Sequence, residues 1–97
     1  RPTCIFYPDD ISCVSGIDTL KKQGLSVPGD MSVVGFDGIQ LSQIIWPKLT
    51  TYRQDMETIG RSAIQLLLEE IQDPDASHPR QRYIAGMLLP GETVARL

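Results

Sequence analysis

Residues 31–36, Met-Ser-Val-Val-Gly-Phe, are apolar apart from Ser32 and show no two-residue alternation, which predicts a strand covered on both faces. The preceding Val27-Pro28-Gly29-Asp30 is turn punctuation, and the run ends on Gly35-Phe36-Asp37-Gly38. Residues 3–7, Thr-Cys-Ile-Phe-Tyr, form a second strand candidate stopped by Pro8. Between them Ile11, Val14, Ile17 and Leu20 recur every third residue, with Cys13 and Gly16 beside them, giving one apolar face on a helix of about three to four turns. Asp9 and Asp10 suit its start, where a carboxylate meets free backbone N–H groups and the positive end of the helix dipole. Lys21 and Lys22 suit its end, and Gly24 is the expected left-handed cap. Strand, helix and strand in this order predict a parallel pair joined by a crossover.

Beyond Gly38 the pattern is mixed as far as Ile44-Ile45-Trp46, an apolar cluster that fits a core or a subunit interface before Pro47 breaks the chain. Residues 49–54 are rich in Thr and Tyr and predict a strand. Asp55 then opens the strongest helix: Met56, Ile59, Gly60, Ala63, Ile64, Leu67, Leu68 and Ile71 share one broad stripe, with Glu57, Arg61, Gln65, Glu69 and Glu70 turned mostly to water. Gly60 inside it is expected to mark close packing, since an interior glycine costs about 1 kcal/mol against alanine. Residues 73–79 read as a surface loop, and His78 within it as a solvated residue. Residues 82–89 and 93–97 are two short strand candidates around Pro90-Gly91.

Composition narrows the function. The chain has 97 residues, 41% hydrophobic and 22% charged, with a net charge of -3, an ordinary globular profile. Mild acidity argues against these residues gripping a phosphate backbone themselves, which takes a basic patch. No apolar run approaches the roughly 20 residues that span a bilayer, and Arg1-Pro2-Thr3 lacks the basic and apolar regions of a signal peptide. Cys4 and Cys13 are not in a CxxC or Cys/His pattern, so buried free thiols in a reducing compartment are expected. No Gly-rich phosphate loop, ordered Ser/His/Asp set or HExxH pair is present, so no catalytic residue, metal ligand or cofactor is assigned. In parallel sheets ligands meet residues just beyond the carboxyl ends of strands. Asp37 stands there and can accept hydrogen bonds from a hydroxyl-rich ligand, or it is simply a turn aspartate.

Phe6-Tyr7-Pro8-Asp9-Asp10, the run from Gly24 to Asp37, Pro47-Lys48-Leu49-Thr50-Thr51-Tyr52-Arg53-Gln54, the Gly60 helix, and Leu88-Leu89-Pro90 with residues 92–96 together resemble the carboxyl-terminal part of the LacI/GalR family of bacterial transcriptional regulators. The resemblance implies an α/β, Rossmann-like, periplasmic-binding-protein-like fold, here a partial one. Residues 1–49 would end the carboxyl-terminal effector subdomain, 50–87 would supply a crossover strand and helix of the amino-terminal subdomain, and 88–97 would return.

It further implies a cytoplasmic, non-enzymatic repressor that binds a small effector, a sugar or nucleoside-like molecule, and reads operator DNA through a domain outside this chain. By position, Asp37, Asp9 and Met56 would meet the effector, and Val14 and Ile45 would lie at a homodimer interface. Asp9 replaces the family's usual asparagine and Gly38 replaces a common second aspartate. Capping by Asp10 would account for the acidic pair without chemistry, and Met56, Val14 and Ile45 equally suit burial. A periplasmic-type sugar-binding protein of a transporter is the alternative with the same architecture, and an enzyme of doubly wound fold is a third.

Overall fold

The computed structural model describes residues 1–75 and 80–97. His78, expected to be a solvated loop residue, lies outside the described residues. Among the described residues seven elements follow in order: β1 (Cys4–Phe6), α1 (Asp10–Lys22), β2 (Ser32–Asp37), α2 (Gln40–Ile44), β3 (Thr51–Arg53), α3 (Met56–Gln72) and β4 (Met87–Leu89). The strands form one sheet in the order β1-β2-β3-β4. β1, β2 and β3 run parallel, and β4 is antiparallel to β3. The chain divides into two compact units, residues 1–54 with 87–97, and residues 55–86.

In the first unit α1 starts where the sequence places it. Asp9 is the N-cap, in extended conformation, and its Oδ1 accepts from the Ser12 amide at 2.7 Å while Oδ2 accepts from the Ser12 hydroxyl at 3.0 Å. This satisfies one of the amides that a helix start leaves without a partner. Gly24 ends it with φ +79°, as a left-handed cap requires, and the Leu25 amide closes back on the Leu20 carbonyl at 3.0 Å. The turn into β2 is tied by Asp30, whose Oδ2 accepts from the Ser26 amide and hydroxyl, both at 2.7 Å; these bonds hold the Asp30 pKa below its ordinary value.

The core is Cys13 and Ile17 of α1 against Met31, Val33 and Leu49, with Ile5, Tyr7, Leu20, Val27 and Ile45 packed around it. Coverage of β2 on both faces does not hold. Val33 and Gly35 are buried on the α1 side, whereas Val34 and Phe36 on the opposite face are only half-buried. There Phe36 stacks on Tyr52 with ring centroids 5.6 Å apart, and Phe6, largely exposed, tilts against Phe36 at 6.5 Å. Cys13 is buried, as expected, but Cys4 is exposed: β1 alternates its side chains, and Cys4 shares the open side with Phe6.

The carboxyl-terminal residues 93–97 form no strand, although Thr93 takes a strand-like place. β3 pairs with β2 only from Gly35 onward, and β1 takes the other edge of β2, so one edge of Val33 is left for the tail. The Val33 amide donates to the Thr93 carbonyl at 2.8 Å, and the Thr93 hydroxyl donates to the Val33 carbonyl at 2.7 Å while accepting from the Thr50 amide at 3.0 Å.

The second unit is built on α3. Asp55 caps it, accepting from the Thr58 amide at 3.0 Å and the Thr58 hydroxyl at 2.6 Å. The apolar stripe read from the sequence is real, yet no α3 residue is buried, and Met56, Ile64, Leu67, Leu68 and Ile71 are each more than half exposed. A side chain added at Gly60 would meet nothing within 4 Å, so the expected close packing at that glycine is absent among the described residues. The strand expected over 82–89 is reduced to Met87–Leu89. Arg82 instead reaches back to α3, donating to Gln65 at 2.7 Å and Glu69 at 2.5 Å, and Arg80 donates to Glu70 and to the Asp73 carbonyl.

Candidate functional site

The carboxyl ends of β1, β2 and β3 lie side by side in the first unit, and each delivers polar side chains there: Asp9 after β1, Asp37 at the end of β2, and Arg53 with Gln54 at the end of β3. Such strand ends are where an open parallel sheet exposes ligand-binding groups. Asp37 pairs with Arg53 in register. It adopts φ +110°, a region that disfavours any side chain and costs about 1–3 kcal/mol, typical of residues held for a ligand. Gln54 holds it twice, through its amide to the Asp37 carbonyl at 3.1 Å and its Nε2 to Asp37 Oδ1 at 2.6 Å. Asp37 Oδ2 has no hydrogen-bond partner among the described residues, and the side chain is half-buried.

Gly38 follows with φ +69°, and a Cβ there would come within 2.5 Å of Arg53 Cβ and 2.6 Å of its Cα. The departure from a second aspartate is therefore a steric one, because the turn passes directly over the β3 main chain.

The adjacent aspartates divide their work in the reverse of the order read from the sequence. Asp9 is the cap, with each carboxylate oxygen already accepting from Ser12. Asp10, in the first turn of α1, is fully buried. Its Oδ2 accepts from the Ile39 amide at 2.8 Å and its Oδ1 from the Thr51 hydroxyl at 2.6 Å. Oδ1 also lies against Gly35, where any Cβ would collide with it. Nothing local marks Asp10 as buried; its partners are 29 and 41 residues away.

Met56 begins α3 in the second unit and is more than half exposed. Val14 is half-buried on α1. Ile45 ends α2 and packs partly against the core, while its neighbours Ile44 and Trp46 are exposed, so that cluster is not the interior its composition allowed. Among the described residues no group of three or more His, Cys, Asp or Glu side chains is placed to hold a metal ion. No helix among them is long and apolar enough to cross a membrane. Burial, then the Asp10 and Asp9 carboxylates and Cys4, push the Cys13 thiol up to about 12, so it stays protonated at neutral pH and is a poor nucleophile.

Residues 1–94 match the model of the periplasmic binding protein-like domain. The HTH-type transcriptional repressor PurR of Aliivibrio fischeri strain MJ11 is 43% identical over 75 residues, which is 77% of this chain and 22% of that repressor. Among solved structures, a LacI family transcriptional regulator from Enterococcus faecium with bound ribose superposes with a TM-score of 0.84 and 29% identity over 98% of this chain and 35% of its own. The lac repressor dimer bound to operator and the anti-inducer ONPF gives a TM-score of 0.85 at 27% identity, over 98% of this chain and 32% of that one. The chain thus spans between about a fifth and a third of the length of these proteins.

Proposed function

Because the chain belongs to the periplasmic binding protein-like family, on the branch of the LacI-type transcriptional repressors, we propose that it is the ligand-sensing part of a bacterial DNA-binding regulator, in which Asp37 grips the hydroxyls of a sugar or nucleoside-like effector. The observation that carries this reading is the state of Asp37: it sits at the end of a parallel strand, held in a strained conformation by Gln54, with Oδ2 open to a donor. A carboxylate so fixed accepts hydroxyl hydrogen bonds without first reorganising, which limits the entropic cost of binding. Ribose in the Enterococcus faecium regulator supports the effector class.

β3, assigned from the sequence with residues 50–87 to the amino-terminal subdomain, pairs with β2 in the first unit; in this reading that unit belongs to the carboxyl-terminal subdomain of an effector-binding core and the second to the amino-terminal one. Asp9 lends the spare lone pairs of its carboxylate, and Met56 lends an apolar side chain to the effector. Effector binding favours one degree of subdomain closure and so shifts the population of DNA-binding-competent dimers, a coupling of about 1–3 kcal/mol in typical allosteric proteins. Val14 and Ile45 face the second copy, and a helix-turn-helix outside these 97 residues reads the operator. The protein works in the cytoplasm, needs no cofactor and turns over no substrate. The matched relatives are repressors, which favours this reading over a transporter's sugar-binding protein.

The test is titration calorimetry of the protein, at the full length its gene encodes, against ribose, glucose, lactose, adenosine and cytidine. A hydrogen bond to a charged group contributes about 1.5–3 kcal/mol, so Asp37→Ala weakens the tightest of these by about 10-fold to 150-fold. Unchanged affinity in Asp37→Ala removes Asp37 from the site.

A further inference from the structure

We infer that Asp10 is a positioning residue of the effector site: it does not touch the effector, but holds the backbone turn that presents Asp37. The inference rests on the reading of Asp37 as an effector contact. Asp37 and Gly38 take consecutive positive φ values of +110° and +69°, a conformation that persists only where its surroundings fix it. On one side the turn is fixed by Gln54. On the other, the residue that follows, Ile39, donates its amide to Asp10 Oδ2 at 2.8 Å, and this amide begins α2 with no side-chain cap of its own.

Asp10 is in turn held rigidly. Oδ1 accepts from the Thr51 hydroxyl at 2.6 Å, the residue is fully buried, and Gly35 leaves the space its carboxylate fills. Thr51 pairs with Gly35 in register, two residues before the Asp37–Arg53 pair. One carboxylate thereby ties the start of α1, the exit of β2 and the start of β3 into a frame around Asp37. A capping role does not account for this, because Asp9 already caps α1 and Asp10 spends both oxygens on groups remote in sequence.

The experiment is a double-mutant cycle in the full-length protein, read by calorimetric titration with ribose, glucose, lactose, adenosine and cytidine, at a temperature where each variant is folded by circular dichroism. Asp10→Ala is expected to weaken the tightest of them by about 10-fold in the wild-type background and by less than twofold when Asp37→Ala is already present, although it lowers the melting temperature in both. Asp10→Asn, whose carbonyl still accepts from Ile39 and whose amide donates to the Thr51 hydroxyl, should bind within about threefold of wild type. If Asp10→Ala does not fold, Thr51→Val takes its place, releasing Oδ1 alone, with an expected loss of about threefold that again vanishes on Asp37→Ala. An equal loss in both backgrounds, or no loss in the first, overturns the inference and leaves Asp37 in the site. An Asp37→Ala single variant with unchanged affinity, or binding of none of the five compounds, overturns the site reading, and the inference falls with it.

Discussion

Thr93 offers the sharpest test of how the first unit is held together. Its side chain is fully buried where β2 and β3 diverge, and its hydroxyl serves the Val33 carbonyl and the Thr50 amide at once. Thr93→Val keeps the shape of the side chain and removes only the hydroxyl. Two main-chain groups then lose their partner in a site closed to water, at about 1–3 kcal/mol each. A methyl in place of the hydroxyl returns about 0.8 kcal/mol of transfer free energy, leaving a net loss of about 1–5 kcal/mol. That is a large share of the roughly 5–15 kcal/mol by which a domain is stable. With a urea slope of about 2 kcal/mol/M, the middle of the usual range, the midpoint falls by about 0.5–2.5 M. Equilibrium urea unfolding of wild type, Thr93→Val and Thr93→Ser measures it, and Thr93→Ser, which keeps the hydroxyl, should lose no more than about 1 kcal/mol. A Thr93→Val variant within about 0.5 kcal/mol of wild type, or a serine variant as damaged as the valine one, would refute the clasp.

Three further outcomes follow from the two cysteines and from Gly60. Iodoacetamide at pH 8 should label Cys4 promptly and Cys13 only on unfolding, since burial pushes the Cys13 thiol up to about 12. As that pKa is raised above its ordinary 9.0, the contribution of Cys13 to stability is complete below pH 9 and is lost as pH rises toward 12; in Cys13→Ala the alkaline fall between these values should flatten, and an unchanged pH profile of unfolding would count against it. Gly60→Ala should stabilise the protein by about 0.5–1 kcal/mol, because nothing stands within 4 Å of the added methyl. Loss of stability, measured by thermal melting, would show that another surface packs there.

The local grammar of the chain settled what depends on neighbours in sequence. An aspartate ahead of an apolar three-residue rhythm starts α1, Gly24 stops it, Asp55 starts α3, and the strand-helix-strand order forces β1 and β2 parallel; the separated motifs that mark the LacI-type repressors were legible for the same reason. Asp37 at the end of β2 was legible too, as was the turn at Gly38, though not that Arg53 lies under it. Only the tertiary structure decided which of Asp9 and Asp10 caps the helix and which ties the frame, that Thr93 serves β2 and β3 without being in a strand, that Cys4 faces outward, and that one side of β2 is left half open. Each of these depends on a partner 29 to 60 residues away or on which face of a strand a helix covers. Hydrogen-bond satisfaction and burial are properties of the assembled fold, and a periodicity confined to a few turns of chain does not encode them.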